Sequence, residues 1–183
     1  MEKQQLWINA GYKVYSTEGP NGLKVERLAK VVGVSKSSFY HYFADLECFI
    51  DDLFRYHLEQ CKIIAEKERH CEKIHPDLID IFIEHKTDLL FQRQLRIHQK
   101  EKQAQVVLSK SKTILGNFSE MAWAQDIYHP LTKSQLNAIF QIVIDDFYMK
   151  INEDNLNHEF LGEYMKGIQD TTKQLIGQLY TTV

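Results

Sequence analysis

The chain has 183 residues, of which 44% are hydrophobic and 26% charged, a balance typical of folded globular proteins that excludes extended disorder. Only 8 Gly and 3 Pro are present, so the turn residues that sheets need are scarce and helices are favoured. The N-terminus is polar, no apolar run is long enough to cross a bilayer, and the three cysteines form neither a disulfide nor a zinc framework. We therefore expect an all-α cytoplasmic protein without a membrane partner.

Apolar residues at helical spacing predict four helices in the first part of the chain. The first spans about Glu2–Glu18 and is ended by glycine and proline, and the second spans Val25–Val32. Ser35 is a good N-cap for a short third helix that ends near Tyr42, and a long fourth helix covers about Leu46–Glu68.

The rest of the chain is also predicted to be helical. Pro76 begins a helix whose apolar stripe includes His85 and continues to Leu90, and one or two helices follow within 93–119. Thr132, with Gln135 three positions on, forms a capping box that opens a strongly apolar helix. After a polar turn, a last helix runs from about residue 158 to residue 179.

Charge is unevenly distributed along the chain. The net charge is −3, but residues 1–43 carry six Lys and Arg against three Glu, which leaves −6 for the remainder. A basic N-terminal segment in an otherwise acidic chain is expected where one end of a protein meets phosphate groups. The basic run at 93–112 suggests a solvated helix face rather than a second anion site.

The segment Val25 to Tyr42 meets the geometric demands of a helix-turn-helix. The small residue Ala29 suits a close helix crossing, and Gly33, four positions later, tolerates the positive φ of the turn. Apolar residues occupy the positions that must be buried: Leu28, Val32, Val34, Phe39 and Tyr42. The second helix would present Lys36, Ser37, Ser38 and His41 to a DNA major groove. The alternative is a helical hairpin unrelated to DNA.

The run LKVERLAKVVGVSKSSFYHYFADLECFI, Leu23 to Ile50, resembles the helix-turn-helix of the TetR family of bacterial regulators. The match lies in Leu28-Ala29, in Gly33-Val34-Ser35 and above all in the aromatic run from Phe39 to Phe43, and the resemblance covers roughly residues 5–50. It implies an N-terminal three-helix DNA-binding unit, residues 1–45, joined to a helical ligand-binding and dimerisation domain, residues 46–183.

The resemblance also assigns contacts with double-stranded DNA. Lys36, Ser37 and Ser38 would lie near base edges, Tyr40 would reach a phosphate, and His41 would touch the backbone or a thymine methyl. Three positions depart from the family pattern: Lys24, Glu26 and Leu46. Lys24 offers a replacement phosphate contact, beside which Arg27 is a further candidate, whereas Glu26 either accepts from cytosine N4 or points to solvent.

The last two predicted helices carry more apolar surface than one core face needs, because Ile142 and Ile144 make the penultimate helix apolar nearly all round. A second subunit explains the surplus, and the resemblance implies a homodimer through a four-helix bundle. The predicted interface residues are Ile139, Val143, Phe147, Leu161, Tyr164, Ile168 and Leu175.

The body beyond residue 45 is larger than dimerisation requires, which suggests a pocket for a small apolar effector. The candidate lining is Phe91, Phe118, Met121, Trp123, Tyr128 and Phe147. The alternative is that these residues only pack in the hydrophobic core. His57 and Cys61 lie one helical turn apart, but four well-spaced metal ligands are not evident.

No catalytic or cofactor motif is present, so we expect neither an enzyme nor a bound cofactor or metal. The primary hypothesis is a ligand-responsive regulator, a repressor, that binds a pseudo-palindromic operator as a homodimer. A constitutive DNA-binding dimer without effector, and a helical adaptor or enzyme that does not bind DNA, are the alternatives.

Overall fold

The computed structural model describes residues 2–116 and 132–181, with side chains as far as residue 174. All regular structure in these residues is helical, which confirms the all-α prediction. The α-helices are α1 (Glu2–Glu18), α2 (Val25–Val32), α3 (Lys36–Tyr42), α4 (Leu46–Glu68), α5 (Ile79–Glu84), α6 (Lys86–Ile97), α7 (Lys102–Leu115), α8 (Lys133–Lys150) and α9 (His158–Thr181).

The turn between α2 and α3 depends on one glycine. Gly33 has φ 76° and ψ 32°, the left-handed conformation predicted for it, which costs other residues free energy because of their Cβ atom. The N–H groups of Gly33 and Val34 both donate to the carbonyl oxygen of Ala29, at 2.9 and 3.0 Å. These two bonds close the end of α2 and direct the chain into α3.

Ser35 precedes α3 with the extended backbone of an N-cap, but its side chain makes no capping hydrogen bond. Its hydroxyl lies instead 2.8 Å from the hydroxyl of Ser37. At the other end of the chain, the predicted capping box is confirmed. The Thr132 hydroxyl accepts from the backbone N–H of Gln135, whose side-chain oxygen accepts from the backbone N–H of Thr132 at 2.9 Å.

The prediction of a single helix that begins at Pro76 is wrong. A π-helical turn at Ile74–Leu78 leads into the six-residue α5, and His85 then leaves helical geometry at φ −99° and ψ 28°. The chain resumes as α6 at Lys86. A change of ψ at one residue needs neither glycine nor proline, so nothing in the local sequence marks this break.

Packing divides the chain into two compact units, Met1–Ile63 with Thr87–Leu115, and Ile64–Lys86 with Gly116–Val183. We call them unit 1 and unit 2. In unit 1, Phe91 of α6 stacks on Tyr12 and Tyr15 of α1, with ring centroids 4.4 and 4.3 Å apart. The helix-turn-helix therefore shares its hydrophobic core with α6 and α7. The functional division at residue 45 stays a prediction.

Unit 2 has a core of its own. Phe147 of α8 packs on Phe82 of α5 and on Tyr164 of α9, with ring centroids 5.7 and 5.6 Å apart. Ile151 and Leu161 are completely buried beside the turn that joins α8 and α9. The Tyr164 hydroxyl donates to the carbonyl oxygen of Val143 at 3.1 Å or to the Asp146 carboxylate at 3.0 Å, which ties α9 to α8.

Candidate nucleic-acid interface

Phe39 fixes the orientation of α3. Its side chain is completely buried, and its ring makes edge contacts with Trp7 of α1 and Phe49 of α4 at centroid distances of 5.3 and 5.2 Å. With Phe39 held inward, the other side of this short helix faces outward. Lys36, Ser37 and His41 are exposed on it, and Tyr40 is 52% exposed.

The predicted core positions of the helix-turn-helix lie inside or against the core of unit 1. Leu28, Ala29 and Phe39 are buried. Val32, Val34 and Tyr42 are partly buried and pack against the same cluster, as does Leu46. Leu46, one of the three positions that depart from the family pattern, therefore contributes to packing.

Two predicted DNA contacts are engaged in ion pairs. Lys36 Nζ contacts Glu26 Oε1, and the hydrogen bond lowers the pKa of Glu26 and raises the pKa of Lys36. Arg27 donates to both carboxylate oxygens of Glu18, at 2.6 and 2.5 Å, and this bidentate bond lowers the pKa of Glu18. Both acidic partners were missed from the sequence, because the side chains lie nine and ten positions apart across turns.

Lys24 and Ser38 complete the predicted set. Lys24 is exposed at the N-cap position of α2, with extended backbone, and makes no side-chain capping bond. Ser38, the third residue of α3, is half-buried. Lys24 thus immediately precedes the first helix of the helix-turn-helix, and Ser38 lies in the second helix, whose N-terminal residues contact base edges in such motifs.

A buried polar network, not visible in the sequence, lies in unit 1. The Tyr12 hydroxyl donates to Asp88 Oδ1 at 2.7 Å and lies 2.8 Å from His57 Nδ1. On the other side of the ring, His57 Nε2 lies 2.7 Å from the side-chain amide of Gln92, which in turn donates to Ser111 Oγ at 2.8 Å. The network links α1, α4, α6 and α7.

Burial lowers the pKa of His57 to about 4, although the Gln92 hydrogen bond and the Asp88 charge act in the opposite direction. Burial also raises the pKa of Tyr12, with help from Asp88. Cys61 Sγ lies 3.6 Å from His57 Nε2 and is buried. Within the part of the chain that the structure describes, no three His, Cys, Asp or Glu side chains converge as metal ligands.

The basic run in α6 and α7 is only in part a solvated face. Lys100, Lys102, Lys110 and Lys112 are exposed, as predicted. Arg96 is 7% exposed and Arg93 is half-buried, so the prediction is wrong for these two residues. They lie on the side of α6 that faces the protein, beside the buried Gln92 and Leu95.

The predicted dimer residues differ in their surroundings. Ile139, Val143, Tyr164 and Ile168 are half-buried, and the side chain of Leu175 lies outside the described residues. Phe147 and Leu161 are 2% and 0% exposed within their own chain, which leaves no surface for a partner and removes them from the candidate interface. On α8, Ile142 is 71% exposed and Met149 53%.

The candidate pocket residues are not brought into one described site. Phe91 is buried in unit 1, Phe147 is buried in unit 2, and Phe118, Met121, Trp123 and Tyr128 lie outside the described residues. Unit 2 contains a narrow apolar cavity of about 30 Å³, room for one or two water molecules. Its lining is Ile74, Leu78, Phe82, Phe140, Val143, Ile144, Phe147, Tyr164 and Met165.

None of the helices in residues 2–116 and 132–181 combines the length and apolar character that spanning a membrane requires.

Residues 8–47 match the family model for bacterial regulatory proteins of the tetR family. No curated protein sequence matches the chain. Among solved structures, a TetR-family transcriptional regulator from Rhodococcus sp. is 14% identical with a TM-score of 0.57, over 96% of this chain and 100% of that one.

Two further structures are similar. The fatty acid degradation regulator FadR from Bacillus halodurans is 15% identical with a TM-score of 0.56, over 90% of this chain and 97% of that one. A TetR-family regulator from Marinobacter aquaeolei VT8 is 16% identical with a TM-score of 0.55, over 92% and 94% of the two chains. At these identities, the structural likeness shows a shared fold.

Proposed function

We propose that the chain is a member of the TetR family of bacterial transcriptional regulators and acts as a ligand-responsive repressor that binds a pseudo-palindromic operator as a homodimer. The observation that carries the proposal is α3, held by the buried ring of Phe39 so that Lys36, Ser37, Tyr40 and His41 face outward. In helix-turn-helix proteins the N-terminal residues of the second helix contact base edges.

Operator binding by a dimer has a geometric consequence. Two copies of α3 related by a twofold axis contact half-sites whose centres lie one DNA turn, about 34–36 Å, or a multiple of it apart. Selection of bound duplex from a random pool should therefore enrich an inverted repeat. If no motif is enriched at low salt, the regulator proposal fails.

Tyr40 and Lys36 are the residues to test first. Tyr40→Phe keeps the contact with Phe39 and removes only the hydroxyl, so it should weaken operator binding if that hydroxyl donates to a phosphate. Lys36→Ala should weaken operator binding as well, and Lys110→Ala, an exposed lysine of α7, is the matched control. Unchanged affinity in both variants would show that α3 does not contact DNA.

Dimerisation through α8 and α9 is supported by the exposed apolar side chains of α8. Ile142 is 71% exposed, and an unpaired charge at a buried interface is expensive. Ile142→Glu should therefore sediment as a folded monomer. Ile63→Glu, at an isoleucine that is 45% exposed on α4, should remain a dimer. If Ile142→Glu and Ile63→Glu both remain dimers, the interface lies elsewhere. Ile168→Glu would test α9 in the same way.

The effector part of the proposal rests on unit 2, whose cavity is lined almost wholly by apolar side chains. At about 30 Å³ the cavity is too small for a metabolite, so binding would require side chains to move apart. A ligand shifts an equilibrium only by its differential affinity for the two states, and a tenfold release from DNA requires about 1.4 kcal/mol of coupling.

The effector test is a thermal-shift screen of apolar metabolites, followed by operator binding with the hits. Fatty acids are natural probes, because one structural neighbour is described as a regulator of fatty acid degradation. An effector should weaken operator binding, and Ile74→Phe, which fills the cavity, should abolish that effect while Ile74→Val keeps it. Hits that stabilise the protein without changing operator affinity would favour a constitutive dimer.

A further inference from the structure

The ion pair between Glu26 and Lys36 joins the N-terminal ends of α2 and α3, and the N-terminal end of the second helix is the part of a helix-turn-helix that contacts base edges. Lys36 is the first residue of α3, and Glu26 lies in the first turn of α2. Both side chains are solvent-accessible, 48% for Lys36 and 65% for Glu26. Exposed ion pairs contribute little to stability, so a folding role does not account for the arrangement.

From this juxtaposition we infer that Glu26 and Lys36 act as one specificity-determining unit that recognises a single G·C base pair in each operator half-site. The inference rests on the proposed DNA-binding function and adds the base pair that this surface selects. The unit presents a hydrogen-bond acceptor and a donor side by side, already held in contact before DNA arrives.

The chemistry of the major groove selects G·C for such a unit. Guanine offers two neighbouring acceptors, N7 and O6, and the paired cytosine offers the N4 donor next to O6. An ammonium group has three donors, so Lys36 can bind Glu26 with one and both guanine acceptors with the others. The Glu26 carboxylate, with spare lone pairs, accepts from cytosine N4.

An A·T pair suits the unit less well. Its single major-groove donor, adenine N6, lies between the acceptors N7 and O4, so two adjacent acceptors are not available to Lys36. The thymine methyl group also borders O4 and would meet a charged side chain. The Glu26–Lys36 unit therefore discriminates by hydrogen-bond pattern.

The pairing also keeps Lys36 from acting as a general phosphate ligand. A cation that neutralises a phosphate adds about 0.9 to the salt dependence of binding, whatever the sequence. In the ion pair the charge of Lys36 is balanced by Glu26, and the Glu26 carboxylate repels phosphate oxygens. Removing Glu26 should thus lower the selectivity for one base pair and raise the non-specific affinity for DNA.

The test is selection from a random duplex pool with the full-length chain and three variants, Glu26→Ala, Glu26→Gln and Lys36→Ala. We expect the wild-type motif to contain one G·C position per half-site that disappears in Glu26→Ala and Lys36→Ala, with a loss of roughly 5- to 150-fold in discrimination there. Glu26→Gln should shift that position toward A·T, because an amide pairs with adenine N6 and N7.

Glu59→Ala is the matched control, since Glu59 is 63% exposed and ion-paired with Lys62 on α4. It should leave the motif unchanged. Glu26→Ala should also bind non-specific duplex more tightly and with a salt slope steeper by nearly two per dimer.

A motif identical in wild type and Glu26→Ala would overturn the inference while leaving the DNA-binding function intact. A wild-type chain that enriches no motif would overturn the proposed function itself, and the inference with it. Since Glu26 is exposed, unchanged thermal unfolding of the variants is expected and separates altered recognition from misfolding.

Discussion

Acidification should destabilise this protein through His57. The ring is completely buried in the network of Tyr12, Asp88, Gln92 and Ser111, and burial lowers its pKa from 6.5 to about 4. Between these two values the unfolded chain binds a proton that the folded chain does not, so stability is full above pH 6.5 and falls as the pH drops toward 4. From about pH 7.5 to about pH 5 the loss is about 2 kcal/mol.

Hydrogen bonding is consistent with a neutral ring. Tyr12 donates its only proton to Asp88, so its oxygen accepts from His57 Nδ1–H, and Nε2 is left as an acceptor. Gln92 Oε1 faces Nε2, so this neutral tautomer requires a half-turn of the Gln92 amide. The amide oxygen then faces Ser111 Oγ, whose proton has to turn from the carbonyl oxygen of Leu108 to Gln92. An imidazolium would satisfy the same atoms by donating from both nitrogens, with Asp88 as its counter-charge.

The assay is chemical denaturation at several pH values, followed by the fluorescence of the buried Trp7 in a Trp123→Phe background at fixed protein concentration. His57→Gln removes the titrating group, so the wild type should lose about 2 kcal/mol more than the variant between about pH 7.5 and pH 5. If the stabilities of the wild type and of His57→Gln change with pH in parallel, the lowered pKa of His57 is refuted. A wild type that gains stability relative to the variant on acidification would identify His57 as the imidazolium.

Substitutions at three positions test the local geometry. Gly33→Ala should cost about 1–2 kcal/mol of stability because φ is 76°, and Gly33→Asn, which tolerates this conformation, should cost less. Gly11→Ala should destabilise the protein by about 1–3 kcal/mol or more, because the added Cβ would approach Phe49 Cζ to 2.3 Å. An unfolding midpoint equal to that of the wild type would show that the Phe49 side chain moves freely. Thr132→Ala should cost about 1 kcal/mol and Thr132→Ser almost nothing in thermal unfolding, unless the capping bond to Gln135 is not formed.

The parts of the fold that the sequence predicted correctly depend on local chemistry. The bounds of α1 and α2 follow from apolar spacing that glycine and proline interrupt, and those of α4 from apolar spacing alone. The conformation of Gly33 and the capping box at Thr132 are determined by residues within a few positions of each other. Such features can be predicted because one or two neighbouring side chains decide them.

Features set by distant contacts were not predictable. Tyr12 and Asp88 are 76 positions apart, and only the packing of α6 against α1 brings their side chains together. The break at His85 carries no Gly or Pro signal, because a buried residue can leave the helix wherever tertiary packing favours it. The solvated face expected for α6 was wrong for Arg96, whose burial depends on the same packing.

The charges of the proposed DNA-binding surface show why composition alone is a poor guide to phosphate binding. Six cations in residues 1–43 suggested a surface suited to phosphates, yet Arg27 and Lys36 are each neutralised by a carboxylate from a different helix. A count weights every lysine and arginine equally, whereas counterion release depends on the cations that contact phosphates. The paired cations add hydrogen-bond donors in fixed positions without adding net charge, and donors in fixed positions contribute to base selection more than to general affinity.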